Sequence, residues 1–233
     1  MFDLHRHTEF SLFDGHGKAE NLAKVAKENG LTALGISDHG TVSGLIQHYF
    51  ACKEEGIKPI LGCECYYQKE FDQDAKSYHL CLFAKNVQGY RNLNKIVTIA
   101  NKDSFYYHAR VTWDLLEQYH EGLICSTACI ASIFDQRIAN GNVDAAKTEL
   151  KRFKGLFGND FYIEIQPYSI DTETTQQSVN EVLLDLAGKL NIPCILTSDS
   201  HYGKKDEIDT IVKMHQIAKH ERIDIVQTYG ERY

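Results

Sequence analysis

Short apolar runs alternate along this chain with longer stretches in which apolar residues recur every three or four positions. The runs at residues 2–7, 33–39, 58–67, 78–84, 122–127, 161–166 and 194–199 predict seven strands. Between them lie helical patterns: Leu22, Val25 and Ala26; Ile46, Tyr49 and Phe50; Leu93, Ile96, Val97 and Ala100; Ala146, Leu150, Phe153 and Phe157; Val179, Leu183, Leu186, Ala187 and Leu190. Gly30, Gly56 and Gly158 follow three of these patterns, where a left-handed residue ends a helix. Seven alternations imply parallel strands joined by helical crossovers. Residues 68–77, 101–112 and the tail after 219 lack either period and read as irregular. No linker interrupts the pattern, so residues 1–233 read as one domain, with a core of about 2–219 and a C-terminal tail at 220–233.

Composition narrows the function. The chain carries a formal charge of -7, which disfavours non-specific nucleic-acid binding through bulk electrostatics. Neither a membrane-length apolar stretch nor an apolar signal region is present, so a cytoplasmic protein with no membrane role is expected. The 7 cysteines then read as reduced thiols, mostly packing residues. The 11 histidines exceed what an ordinary core uses, and they carry the chemistry.

His5 and His7 are separated by one residue, so on a strand they face the same way and can share an ion. Other strands end in similar residues: Asp38 and His39, Glu64, Cys129, Asp199 and His201, with His79 heading one strand and Asp14 just after the first. In barrel enzymes the C-terminal strand ends converge on the active site. An open seven-stranded sheet would spread its ends over roughly 29 Å at about 4.8 Å per strand. Metal bonds reach only about 2.0–2.3 Å, so a shared cluster requires a closed sheet. The expected fold is a distorted seven-stranded (β/α) barrel. Several ionisable groups in one cavity would cost desolvation energy unless cations paired them, and imidazole, carboxylate and thiolate together suit zinc, manganese or ferrous iron.

Other residues make smaller claims. Asp3 shares a strand face with His5 and His7 and is a candidate supporting partner, as is Asp38 for its neighbours. Arg110, in a loop with Tyr106 and Tyr107, is a candidate phosphate grip. Cys63 and Cys65 flank Glu64, so alternation turns them toward the helices. His16 lies near Asp14 without a clear ligand role, whereas His48, His108, His120, His215 and His220 read as ordinary core or surface residues. No G-x-S-x-G or G-x-x-x-x-G-K-[ST] motif supports a serine hydrolase or P-loop ATPase.

The segments LHRHTEFSLFDG, GISDHGTVSG, IKPILGCECY, YHLCLFAKNVQGYRNL and SDSHY resemble, in order, the motifs of the PHP (polymerase and histidinol phosphatase) domain. The version at the N-terminus of the bacterial DNA polymerase III alpha subunit is most similar, and the resemblance runs from residue 2 to about 220. It implies a trinuclear metal site. His5, His7, Glu64 and Asp199 would hold one ion, Glu64 would bridge to a second at His79 and Cys129, and Asp14, His39 and His201 would hold a third. It further implies a phosphoesterase in which Glu64, His79, Asp199 and His201 hold an attacking hydroxide. A 3′-5′ exonuclease that proofreads in DNA replication or repair leads the readings. A histidinol phosphatase-like phosphomonoesterase and a metal-stapled module docking on a separately encoded polymerase are the alternatives. The 233 residues leave no room for polymerase segments beside the barrel.

Overall fold

The computed structural model describes residues 2–167 and 174–219. The strands are β1 (Phe2–Asp3), β2 (Ala33–Ile36), β3 (Lys58–Gln68), β4 (Tyr78–Ala84), β5 (Phe105–Tyr106), β6 (His108–Thr112), β7 (Leu123–Ser126), β8 (Phe161–Ile165) and β9 (Cys194–Leu196). The helices are α1 (Ala19–Glu28), α2 (Leu45–Glu54), α3 (Val87–Asp103), α4 (Trp113–Tyr119), α5 (Ile133–Ala139), α6 (Val143–Phe157), α7 (Thr174–Leu190) and α8 (Ile208–Ala218). Seven strands run in the order β1-β2-β3-β4-β7-β8-β9. Arg6 and Ser200 bridge the two ends, the His7 amide donating to the Ser200 carbonyl at 2.9 Å. The sheet therefore nearly closes into the expected barrel, and all seven expected strands are present.

Two features depart from the expectation. The staves are not all parallel, because β4 runs antiparallel to both β3 and β7. Parallel neighbours need a crossover, whereas residues 69–77 between β3 and β4 hold no helix, so the chain can only turn back. Residues 101–112 are not irregular throughout: β5 and β6 form a hairpin there, and β6 extends the sheet by pairing with the far end of β3. The hairpin turns at Tyr107 with φ 58°, a left-handed turn made without the usual Gly or Asn signal.

The main core lies between sheet and helices, built from Leu80, Leu82, Leu93, Phe134, Phe153 and Phe161 among others. Burial of each such side chain contributes about 1.5–3 kcal/mol. Phe153 sits at the centre, its ring 5.2 Å from those of Trp113 and Phe134. Cys63 and Cys65 join this core, as strand alternation requires. Helix α2 forms where expected but buries Leu45, His48, Ala51 and Cys52, leaving Ile46 and Phe50 exposed. The buried face is set by the His48 imidazole, which bonds the Leu34 carbonyl at 3.0 Å and lets a polar residue point inward. No helix of the described residues is long and apolar enough to cross a membrane. The expected tail, with His220, lies outside the described residues.

Arg110 is a strand residue rather than a loop residue. It lies in β6, buried, with its guanidinium donating to the carbonyls of Asp72, Gln73 (3.4 Å) and Ala75 (3.3 Å). Its guanidinium holds the 69–77 connection, and it does not line the cleft that opens onto Asp14, His39 and His79. An Arg110→Ala chain should lose about 1–3 kcal/mol. Limited proteolysis should then cut faster between residues 69 and 77, and an unchanged cutting rate there would remove the clamp role.

Candidate metal centre

The nine residues singled out as ligands meet at one rim of the barrel. Glu64 lies at their centre, inside β3, level with His39 across a parallel bridge. Its Oε1 is 2.9 Å from His79 Nδ1, 3.3 Å from His5 Nε2 and 3.6 Å from Cys129 Sγ. Its Oε2 is 2.9 Å from His39 Nδ1 and 3.4 Å from His7 Nε2. Asp199 Oδ1 reaches His5 Nε2 at 3.1 Å and His7 Nε2 at 3.2 Å. On the outer side, Asp14 Oδ2 is 2.8 Å from His39 Nε2 and 3.3 Å from His201 Nε2.

Strand direction explains which end of each strand contributes. His39 and Cys129 each lie three residues past β2 and β7, and Asp199 three past β9. His79 instead begins β4, because an antiparallel strand starts on the rim where its neighbours finish. The backbone is left-handed at Asp199 (φ 51°), at Ala128 before Cys129 (φ 61°) and at Phe13 before Asp14 (φ 64°). Such conformations in non-glycine residues store about 1–3 kcal/mol each.

The electrostatics are those of carboxylates seeking cations. Burial alone would raise the Glu64 carboxyl, but His79, His5 and His39 hold it well below the usual carboxylate range. Burial would lower His39, yet Glu64 and Asp14 carry it up to about 10. His7, by contrast, is pushed down to about 3 by burial and by His39 and His201 beside it. Burial drives the Cys129 thiol well up. Glu64 Oε2 and His39 Nδ1, both buried, form an ion pair at 2.9 Å whose alignment falls short of a well-formed hydrogen bond. A buried carboxylate ringed by four imidazoles, with a second carboxylate beside it, is a donor set that a divalent cation can hold together. Ligand atoms within 4.8 Å of one another form the sets His5, His7, Glu64, Asp199; His39, Glu64, His79; and His7, His39, His201. The residues present therefore fit divalent metals.

Support for this rim comes partly from where it was expected. Asp38 accepts from the Thr8 amide at 2.6 Å and from Ser11 Oγ at 2.8 Å, and Ser11 Oγ bonds His7 Nδ1 at 2.9 Å. Asp3, however, does not support His5 or His7. The regular strand ends at Asp3, and its carboxylate turns to Arg6 Nε at 3.2 Å and Ser198 Oγ at 2.9 Å. The partner of His5 is Glu164, whose Oε2 lies 2.8 Å from His5 Nδ1. Its signal in the sequence is an acid inside the apolar run FYIEI. His215, an ordinary helix residue by its sequence, bonds Asp14 Oδ1 because α8 packs against the rim. His16 meets the site through its amide, which donates to the His201 carbonyl at 2.6 Å.

A cleft of about 790 Å³ opens onto Asp14, His39 and His79. Phe10, Phe13, Tyr66, Tyr107 and His108 line it, with the Tyr66 and His108 rings stacked at 4.2 Å. Among the described residues no Lys or Arg does so.

A model of the PHP domain family matches residues 3–168. The chain belongs to the PHP domain family. Among curated relatives, the DNA polymerase III alpha subunit of Borreliella burgdorferi is 39% identical over 211 residues, 88% of this chain and 18% of that protein. The same subunit of Aquifex aeolicus is 41% identical over 211 residues, 85% of this chain and 18% of the relative. This PHP chain thus spans about a fifth of the length of these relatives. Among solved structures, a Bifidobacterium adolescentis protein described as a metal-dependent phosphoesterase matches with TM-score 0.52 and 16% identity, covering 91% of this chain and 96% of that one. An amidohydrolase from Chromobacterium violaceum, solved with bound sulfate and no metal, matches with TM-score 0.55 and 13% identity over 88% and 89% of the two chains. These two likenesses are of fold.

Proposed function

We propose that this PHP domain is a metal-dependent phosphoesterase that hydrolyses nucleic-acid ends as a 3′-5′ exonuclease in the cytoplasm. The observation that carries the reading is the convergence on one rim of His5, His7, His39, Glu64, His79, Asp199 and His201 at metal-ligand spacing, with Asp14 beside His39 and His201 and Cys129 beside Glu64 and His79. His5, His7, Glu64 and Asp199 would hold one divalent ion, Glu64 with His79 and Cys129 a second, and Asp14, His39 and His201 a third. Zinc, manganese and ferrous iron all suit this donor set. Such ions supply Lewis acidity and neutralise charge on a phosphate. Glu64, wholly buried, fixes the separation of the inner groups, while the less buried His39, His79 and Asp14 face the cleft. The cleft's rings, Phe13 and Tyr107 among them, offer faces on which a terminal base can stack. With no Lys or Arg lining this cleft among the described residues, the reading favours capture of an end over tracking along a backbone.

The test is incubation of the purified chain with end-labelled single-stranded DNA plus manganese or zinc. Chelator-sensitive shortening is expected. No shortening, or equal shortening by the His7→Ala, Asp199→Ala double variant, would sink the nuclease reading. Turnover of p-nitrophenyl phosphate and histidinol phosphate without DNA cleavage would point to a phosphomonoesterase instead. The polymerase relatives favour one further reading, a metal-stapled module docking on a polymerase. Chelation should lower the melting temperature under any of the three, since saturation at 100 times Kd stabilises by about 2.7 kcal/mol. An unchanged melt would count against resident metals.

A further inference from the structure

We infer that Glu164 is a positioning residue for His5, fixing which imidazole nitrogen faces the rim. The inference rests on the metal-holding reading of the cluster. His5 is wholly buried and stands between two acidic layers. Its Nε2 faces Asp199 Oδ1 at 3.1 Å and Glu64 Oε1 at 3.3 Å, while its Nδ1 faces Glu164 Oε2 at 2.8 Å, deeper in the barrel. A neutral imidazole has one N–H and one lone pair. With a carboxylate accepting at Nδ1, the proton belongs there and the lone pair is presented at Nε2, toward the rim.

Glu164 is itself held for this task. It is 2% exposed and sits inside β8. Thr197 Oγ1 donates to Oε2 at 2.6 Å, Ser126 Oγ donates to Oε1, and its own amide donates to Thr127 Oγ1 at 2.9 Å. Those partners come from β7, its continuation and the residue after β9, the two strands flanking β8. A buried acid carries a desolvation cost of several kcal/mol, which a merely packing position avoids with Val or Leu. Cys81 Sγ lies 3.6 Å from His5 Nδ1, so His5, Cys81 and Glu164 also satisfy the spacing of a separate ligand set. The hydroxyls already donating to both Glu164 oxygens favour positioning over ligation.

Zinc uptake by the whole chain, followed by competition with a chromophoric chelator, separates these roles. Glu164→Gln keeps the shape and removes the charge. It should weaken the most tightly held zinc about 10–100-fold, with zinc stoichiometry unchanged and the metal-free melting temperature close to wild type. In nitrogen-resolved NMR of the zinc form, the His5 Nδ1–H signal should weaken or split, and Glu164→Asp should restore part of the affinity. Wild-type zinc affinity in Glu164→Gln would overturn the inference. So would loss of one full zinc equivalent in both Glu164→Gln and Cys81→Ser, which would make both residues ligands. If Glu164→Gln does not fold, the Ser126→Ala, Thr197→Val variant, which loosens Glu164 without removing it, must bind zinc more weakly than wild type, and equality overturns the proposal. A wild-type chain taking up neither zinc nor manganese would instead remove the metal reading itself, and this inference with it.

Discussion

Glu64→Gln should abolish metal-dependent phosphoester turnover, by about 10²–10³-fold or more, while the barrel still folds. Among the described residues, Glu64 is the one side chain whose two oxygens reach His5, His7, His39 and His79 together, at 2.9–3.4 Å. The amide is isosteric but neutral, so the four imidazoles lose the charge that draws them and any cation into one cluster. A single misplaced electrostatic group at a reacting centre typically costs that factor. The folded-state pKa of Glu64 is depressed, so its carboxylate contributes stability above the usual carboxylate range and loses it as pH falls. The metal-free variant should accordingly melt below wild type at neutral pH, with the gap narrowing in acid. Initial rates on labelled DNA and on p-nitrophenyl phosphate, with and without chelator, read the first effect. Turnover within tenfold of wild type that remains chelator-sensitive would show that Glu64 is dispensable.

The largest stability effect is expected far from that rim, at Gly89 in the first turn of α3. A Cβ built there would stand 1.7 Å from the carbonyl oxygen of Gly122, a backbone atom in the turn leading into β7. That same carbonyl accepts from the Lys85 amide at 2.9 Å, so it cannot swing aside without losing the bond. Gly122 itself is left-handed, φ 74°, and Asn86 caps the helix by accepting from the Gly89 amide at 2.9 Å. Gly89→Ala must therefore push α3 off the sheet, at a cost of about 3 kcal/mol or more. For a chain of this size that is a fall of about 6–12 °C in melting temperature. Thermal unfolding followed by circular dichroism checks it, and a fall under about 2 °C would mean the turn yields freely.

Much of this molecule was legible because two of its signals are local. Strands are apolar runs and helices are three-to-four periodicities, and each depends on neighbours along the chain. The rim was legible because His5, His7, His39 and Asp199 sit at the ends of such runs and His201 just past one. What stayed hidden depends on pairing across the chain. The reversal of β4 follows from the missing crossover at 69–77, which reads in sequence only as a gap. The hairpin of β5 and β6 is stabilised by the end of β3, so Arg110 looked like a free loop residue until that edge was present. Alternation counted back from His5 and His7 puts Asp3 on their face, but regular strand pairing stops at Asp3, so His5 and His7 lie beyond it and the alternation does not carry across. Helix α2 turned the other face inward because a single bond, His48 to the Leu34 carbonyl, makes a polar side chain a core residue. Glu164 was within reach, since an acid in an apolar strand calls for a partner.

The left-handed residues at Phe13, Ala128 and Asp199 bear on whether such a centre can be transplanted. Copying the nine side chains onto a barrel of regular parallel staves would supply every donor atom and still miss the arrangement. Three of the nine, Asp14, Cys129 and Asp199, sit at or just after left-handed backbone that an ordinary strand end does not adopt. His79 would enter from the wrong end of its stave. A working graft would have to import the reversed hairpin and the three strained corners along with the nine candidate side chains, so the transferable unit is the rim's backbone rather than its residue list.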